Sequence, residues 1–134
     1  FAAEDIRSNV QLEAEQSEAQ IVQTLARAGI YAATSQYEPF GLAPVEAALS
    51  RCAIVASDIP PFRELWDGAA VFFRSNHAES LRDAVESLLR DPARRQRQAE
   101  LAYRHARQHF TAERMVAGYL GLYQSLVPAR AISA

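Results

Sequence analysis

The chain has 134 residues, enough for one core-bearing domain and short for a two-domain enzyme. A formal net charge of −2 excludes a general pull toward nucleic acid or acidic membrane, and 49% hydrophobic residues exclude a disordered chain. Every apolar run is far shorter than the roughly 18 residues needed to span a bilayer.

Phe1 to Ser8 is polar and acidic, without caps or periodicity. Val10 to Glu13 alternates as a short strand would. Ser17 is placed to cap a helix whose apolar stripe is Ile21, Val22, Leu25 and Ala28, with Gly29 as its stop. Gly29 to Ala33 has the length and apolarity of a strand, and Leu42 to Ser50 repeats Leu42, Val45 and Leu49 at helical spacing. Ala53 to Ser57 is continuously apolar, as expected of a buried parallel strand. A short helical turn at Arg63 to Trp66, closed by Asp67 and Gly68, leads to a further strand, Ala69 to Phe73.

Asn76 reads as the cap of a helix from Ala78 to Arg90 with Leu81, Val85, Leu88 and Leu89 on one face. Asp91-Pro92 breaks it and opens an arginine-rich helix to about Phe110. Thr111 caps a last helix, 112–126, striped by Met115, Tyr119, Leu122 and Leu126; Pro128 ends it, and 127–134 reads as a tail. Strands alternating with helices predict an α/β fold, a Rossmann-like doubly wound parallel sheet that binds ligands at the carboxyl ends of its strands.

The stretch from Ser35 to Ala48 carries the chemistry. Pro39 holds Glu38 extended, Gly41 permits a sharp bend, and Pro44 sits in the first helical turn, where its missing N–H costs nothing. The N–H groups of Gly41, Leu42 and Ala43 are then free to meet an anion, with the positive end of the helix dipole behind them. Glu38 and Glu46 bracket this point. A carboxylate accepts hydrogen bonds from both hydroxyls of a vicinal diol, so the pair suits a sugar or ribose; on spacing alone two solvated acids explain it as well.

The run Ser35-Gln-Tyr-Glu-Pro-Phe-Gly-Leu42, completed by Glu46-Ala47, resembles the donor-site motif of the family 4 retaining glycosyltransferases. The likeness continues through Ile54 to Glu64, Asp67 to Phe73, Asp91 to Arg95 and Tyr119 to Tyr123, in the family's order. It implies the carboxyl-terminal, donor-binding domain of a GT-B enzyme that moves a hexosyl unit from a nucleoside diphosphate sugar to a hydroxyl acceptor, such as a glycan, with retention. By that resemblance Glu38 is the catalytic residue and also holds the transferred sugar. Phe40, Gly41, Leu42 and Ala43 line the donor, Glu46 takes the ribose, and no metal or cofactor is needed. The family's six-strand domain implies that two strands are missing beside the Val10 strand, leaving an open edge.

Two further features suggest a piece of a longer protein. The chain starts at Phe1 rather than methionine, and its 14 basic residues are all arginine, so the lysine of the family's diphosphate clamp is missing. The acceptor would then dock on a missing N-terminal domain, and this segment alone is expected to be inactive. The rival readings are a nucleotide-sugar-binding or regulatory fragment without activity and a GT-B-like sugar-nucleotide epimerase.

Other candidates have plainer explanations. His105 and His109 share metal-ligand spacing but lack a third ligand, and read as an exposed basic face. Arg90, Arg94, Arg95, Arg97, Arg104 and Arg107 read first as a solvated face, second as a contact for anionic lipid; nucleic acid is disfavoured by the lack of interleaved aromatics. Asp58 and Glu64 lie on the loop after the apolar strand, close to the implied donor site, but an Asp turn and a helix start account for them equally. Cys52, in a turn where the family has Gly-x-Pro, reads as buried filler. A lone cysteine forms no internal disulfide and fits a cytoplasmic protein, peripheral at the inner membrane face if it touches lipid.

Overall fold

A computed structural model describes residues 9–127; the polar start, 1–8, and the tail from Pro128 onward lie outside the described residues. The elements alternate as α1 (Glu18–Arg27), β1 (Ile30–Ala33), α2 (Leu42–Leu49), β2 (Ala53–Ser57), α3 (Pro60–Trp66), β3 (Val71–Phe73), α4 (Ala78–Leu89), α5 (Pro92–His109) and α6 (Ala112–Leu126). The strands form one parallel sheet in the order β1-β2-β3, with Ala33 opposite Ala56 and Ser57 opposite Phe73. Parallel neighbours need crossovers, and α2 and α3 supply them.

β2 is the centre of the molecule, all five residues buried. Its pleat sends Ile54 and Ala56 to one face, against Val45, Ala47 and Ala48 of α2, Phe62 and Trp66 of α3, and Ala102 and Ala106 of α5. Ala53 and Val55 face the other side with Phe73, Ala84, Leu88 and Ala99. Full burial of each larger side chain is worth about 1.5–3 kcal/mol, so a central strand covered on both faces can hold the layers together. α5 contributes to both cores, passing beneath the amino end of the sheet from one face to the other.

Side chains fix most helix starts. Ser17 makes a reciprocal capping box with Gln20, Asp91 accepts from the Arg94 N–H, and Thr111 accepts from the Arg114 N–H. The cap of α4 is His77, whose Nδ1 accepts from the Ser80 N–H, and not Asn76. Asn76 instead takes a left-handed φ of 55°, a conformation asparagine tolerates better than most residues. α3 starts earlier than its charged residues suggest, because two prolines suit a first helical turn.

Three expectations need correction. Val10 to Glu13 forms no strand; the segment lacks regular structure, with Val10 and Leu12 exposed. Alternation cannot hold a strand whose backbone finds no ladder and whose apolar face finds no core. Secondly, two amphipathic stripes stay largely uncovered: in α1 only Leu25 is buried, and in α6 nothing is, leaving Met115, Tyr119, Leu122 and Leu126 exposed. Thirdly, α2 buries Pro44, Val45, Ala47 and Ala48, while Leu42 and Leu49 face outward. Small residues let α2 lie close on the sheet, so the side chains that pack are the short ones.

Candidate functional site

The Ser35–Ala48 stretch leaves the carboxyl end of β1 and delivers α2 to the sheet's upper edge. Gly41 caps α2 in the left-handed region, φ 80° and ψ 83°, which costs a residue with a Cβ roughly 1–2 kcal/mol. Its surroundings exclude a side chain as well. A Cβ there would lie 3.2 Å from Glu38 Cγ, 3.3 Å from Pro44 Cδ and 3.4 Å from Phe62 Cε1. No side chain caps α2, unlike α1, α4, α5 and α6, and no acid occupies its first turn. The N–H groups of that turn are therefore left for a ligand.

A cavity of about 360 Å3 opens at this point, lined by Thr34, Ser35, Glu38, Gly41, Leu42 and Ala43 together with Tyr31, Pro44 and Phe62. Glu38 is half-buried on its wall. Glu46 is exposed and lies outside the lining. Both carboxylates are nonetheless near Tyr31: burial first, then the charges of Glu38 and Glu46, push its phenol above the ordinary value. Phe40 points elsewhere, its ring edge-to-face with Phe110 at 5.5 Å. It fastens the motif loop to the end of α5 and does not line the cavity.

Tyr31 and Phe62 are site residues that motif reading did not find. Tyr31 stands on β1 in an apolar run and lines the cavity from the strand. Phe62 is fully buried and forms the floor, carried on α3 after the loop that follows β2. That loop is braced by Asp58, which accepts two hydrogen bonds from Arg63 at 2.6 and 2.7 Å and is held below the usual carboxylate range by them. The Arg63 guanidinium also covers the Phe72 ring at 4.0 Å. Asp58 and Glu64 do not line the cavity.

Of the histidine pair, His109 is exposed as its arginine-rich helix suggests, but His105 is not. His105 is half-buried and its Nε2 donates to the Leu65 carbonyl at 2.7 Å, tying α5 to α3. Its ring packs 5.5 Å from Trp66 and 4.5 Å from His109. Burial, then the His105 and Arg114 charges, lower the His109 pKa. Among the described residues no cluster of three histidine, cysteine or acidic side chains could hold a metal. Cys52 is buried with its thiol near the Leu25 and Ala28 carbonyls, at 3.4 and 3.3 Å, and burial pushes its pKa up, away from thiolate chemistry. No described helix is long and apolar enough to cross a membrane.

A parallel α/β sheet with an uncapped helix start and a carboxylate at its carboxyl edge has its cavity where open α/β sheets ordinarily take their ligands. Comparison with known proteins makes this specific. The chain belongs to the glycosyl transferases group 1 family, which matches residues 2–105. It is 37% identical over 105 residues to a lipopolysaccharide core biosynthesis mannosyltransferase, LpcC, of Rhizobium leguminosarum bv. viciae, covering 75% of this chain and 29% of that protein. It is 30% identical over 90 residues to a GDP-mannose:cellobiosyl-diphosphopolyprenol alpha-mannosyltransferase of Xanthomonas campestris, covering 66% of this chain and 24% of that one.

Among solved structures, sucrose-phosphate synthase from Thermosynechococcus elongatus superposes with a TM-score of 0.80 at 20% identity, over 91% of this chain and 31% of the other. TarM superposes at 0.75 and 21% identity, over 87% and 24%. These structures share the fold. The chain thus spans less than a third of the length of the curated relatives it matches.

Proposed function

We propose that this chain supplies the donor site of a retaining glycosyltransferase that moves a hexosyl unit, mannosyl in the first instance, from a nucleoside diphosphate sugar to a hydroxyl acceptor. The observation that carries this reading is the cavity at Gly41, where an uncapped helix start faces Glu38 across about 360 Å3. That volume is at the small end for ligand sites and suits a sugar with its phosphate better than a complete donor and acceptor. The choice of mannose is supported by the names of both mannosyltransferase relatives, and that of guanosine diphosphate as its carrier by the name of the Xanthomonas campestris one.

In this reading the diphosphate sits against the N–H groups of Gly41, Leu42 and Ala43. As the bond to the anomeric carbon breaks, negative charge grows on the diphosphate where fixed dipoles already point, so the stabilisation needs no reorganisation and no metal. Glu38 holds hydroxyls of the transferred sugar, and its charge favours the cationic anomeric carbon. Glu46, outside the cavity on α2, takes the ribose hydroxyls. The acceptor is held by a further domain, so the chain alone binds donor without transferring it. An acceptor on a lipid carrier would set the protein at the cytoplasmic membrane face.

Calorimetric titration with GDP-mannose, GDP, UDP and ADP tests this. GDP-mannose and GDP are expected to bind, and Glu46→Ala to weaken both at least about tenfold, since hydrogen bonds to a charged group contribute roughly 1.5–3 kcal/mol. Failure of every nucleotide to bind a chain that is folded by circular dichroism would overturn the reading. Transfer of mannose to added acceptor by this chain alone would overturn its division of labour.

A further inference from the structure

A larger cavity lies at the opposite end of the sheet, where β1 and β2 begin. It measures about 1090 Å3 and runs between Gly29, Arg51 and the amino-terminal half of α5. Its lining carries four arginines, Arg51, Arg95, Arg97 and Arg104, against one acid, Glu100, in a chain whose formal net charge is −2. Glu100 is shared by Arg51 and Arg104. Arg97 reaches Asp91 only at 4.0 Å, and the Arg95 side chain, lying over Gly29, has no ion pair or hydrogen bond among the described residues.

Arg51 shows that this concentration of charge is built. Its φ of 64° is left-handed, a conformation for which glycine is the ordinary choice at the end of a helix. The side chain that an arginine adds there lies 4.0 Å over the Tyr103 ring and bonds Glu100, so its guanidinium is fixed at the groove. An outlier held by its surroundings points to a use for the side chain. Pro92 and Ala93 at the start of α5 line the same cavity; the Asp91 carboxylate caps that start through the Arg94 N–H, so the positive field of the groove comes from its arginines. Arginine forks match phosphate oxygens two at a time, which lysines cannot do.

We propose that the groove between the start of β1 and the amino-terminal half of α5 is a second ligand site, built for a phosphate monoester or diphosphate group. Arg95 and Arg97 bind it, while Arg51 and Arg104, held by Glu100, form the wall. The apolar lining at Pro92, Ala93, Ala99 and Leu101 accepts an uncharged portion of the same ligand. The phosphate belongs either to a soluble metabolite or to a lipid headgroup. The site is separate from the Gly41 cavity, sharing no residue with it, and stands whether or not that cavity binds a sugar nucleotide.

The test is a nuclear magnetic resonance titration of the 15N-labelled chain with inorganic diphosphate at physiological ionic strength. Shifts are expected at Gly29, Arg51, Ala93 and Leu101, and the affinity they report should fall at least tenfold in an Arg95→Ala/Arg97→Ala double variant. Shifts at Gly41 to Ala43 report the other cavity and should survive that change. No shifts in the groove, or groove affinity unchanged in the double variant, would overturn the proposal. Cosedimentation with phosphatidylcholine vesicles then names the source. Binding that requires phosphatidic acid and is lost in the double variant supports a headgroup; groove binding of diphosphate without vesicle binding supports a soluble ligand.

Discussion

The two ends of the sheet each set a helix start beside charged side chains, of opposite sign. At the carboxyl end, α2 starts without a side-chain cap and faces Glu38, with Glu46 a little further along the helix. At the amino end, α5 starts beside four arginines gathered around a single glutamate. The uncapped α2 start favours an anion, whereas the α5 start is already occupied by the Asp91 carboxylate and the attraction there comes from the arginines. Carboxylates repel an anion that is not accompanied by hydroxyl donors, whereas arginines accept phosphate of any kind. The difference teaches that a helix start sets the sign of the ligand charge only where it is left uncapped, and that the neighbouring side chains decide selectivity. The carboxyl end is equipped to discriminate, and the amino end to attract.

The largest test of this contrast removes the floor of the discriminating end. Phe62 is fully buried, belongs to the core beneath β2, and also lines the cavity. Phe62→Ala should cost about 3–5 kcal/mol in urea unfolding, because the floor is packed into the same core that holds the sheet. Loss of less than about 1 kcal/mol would mean that the cavity floor is separable from the core. A groove that still binds diphosphate in the folded fraction would show that the two ends are independent.

A smaller change acts on the α2 start directly. Gly41→Ala places a methyl group against Glu38, Pro44 and Phe62 at a left-handed φ. The conformational part alone should cost roughly 1–2 kcal/mol in stability, and shifting Glu38 should weaken nucleotide binding as well. Gly68 is a useful control. It is also left-handed, but a Cβ there meets nothing within 4 Å. Gly68→Ala should therefore lose similar stability without a change in affinity, and equal losses of affinity in both variants would deny Gly41 its special place.

How much of this arrangement was legible in the sequence follows from the range of the interactions. The buried run Ala53–Ser57 and the turn set by Pro39 and Gly41 depend on local chain stiffness and apolarity, so both read directly. The Val10 strand did not form, because a strand depends on a neighbour that a sequence pattern cannot supply. Phe40 on Phe110 and His105 on Leu65 join residues far apart in the chain, and neither has a local signature. The amino-end groove was half visible: the arginines of α5 stood out as a cluster. That Arg51 joins them, 49 positions away from Glu100, required the fold. The same holds for Tyr31, whose strand reads as plain core until Glu38 and Glu46 are seen beside it.

The smallest predicted effect sharpens the charge contrast at the amino end. Hydrogen bonds from Arg104, then from Arg51, hold the Glu100 carboxyl below the usual carboxylate range. A folded pKa depressed in this way stabilises the fold fully above the ordinary glutamate value of about 4.3, and the contribution fades as the pH falls through the lower folded value. Glu100→Gln should therefore be slightly less stable than the parent chain near neutral pH, with the two urea midpoints converging in acid. The margin is small because the pair is solvent-exposed. The same substitution takes the one negative charge out of the groove and frees Arg51 and Arg104, so diphosphate affinity near neutral pH should rise. A stability loss that persists unchanged in acid would mean that the residue acts through shape and not charge. If diphosphate affinity instead fell, Glu100 would be ordering the arginines for the ligand more than it competes with it, and the amino end would be selective after all.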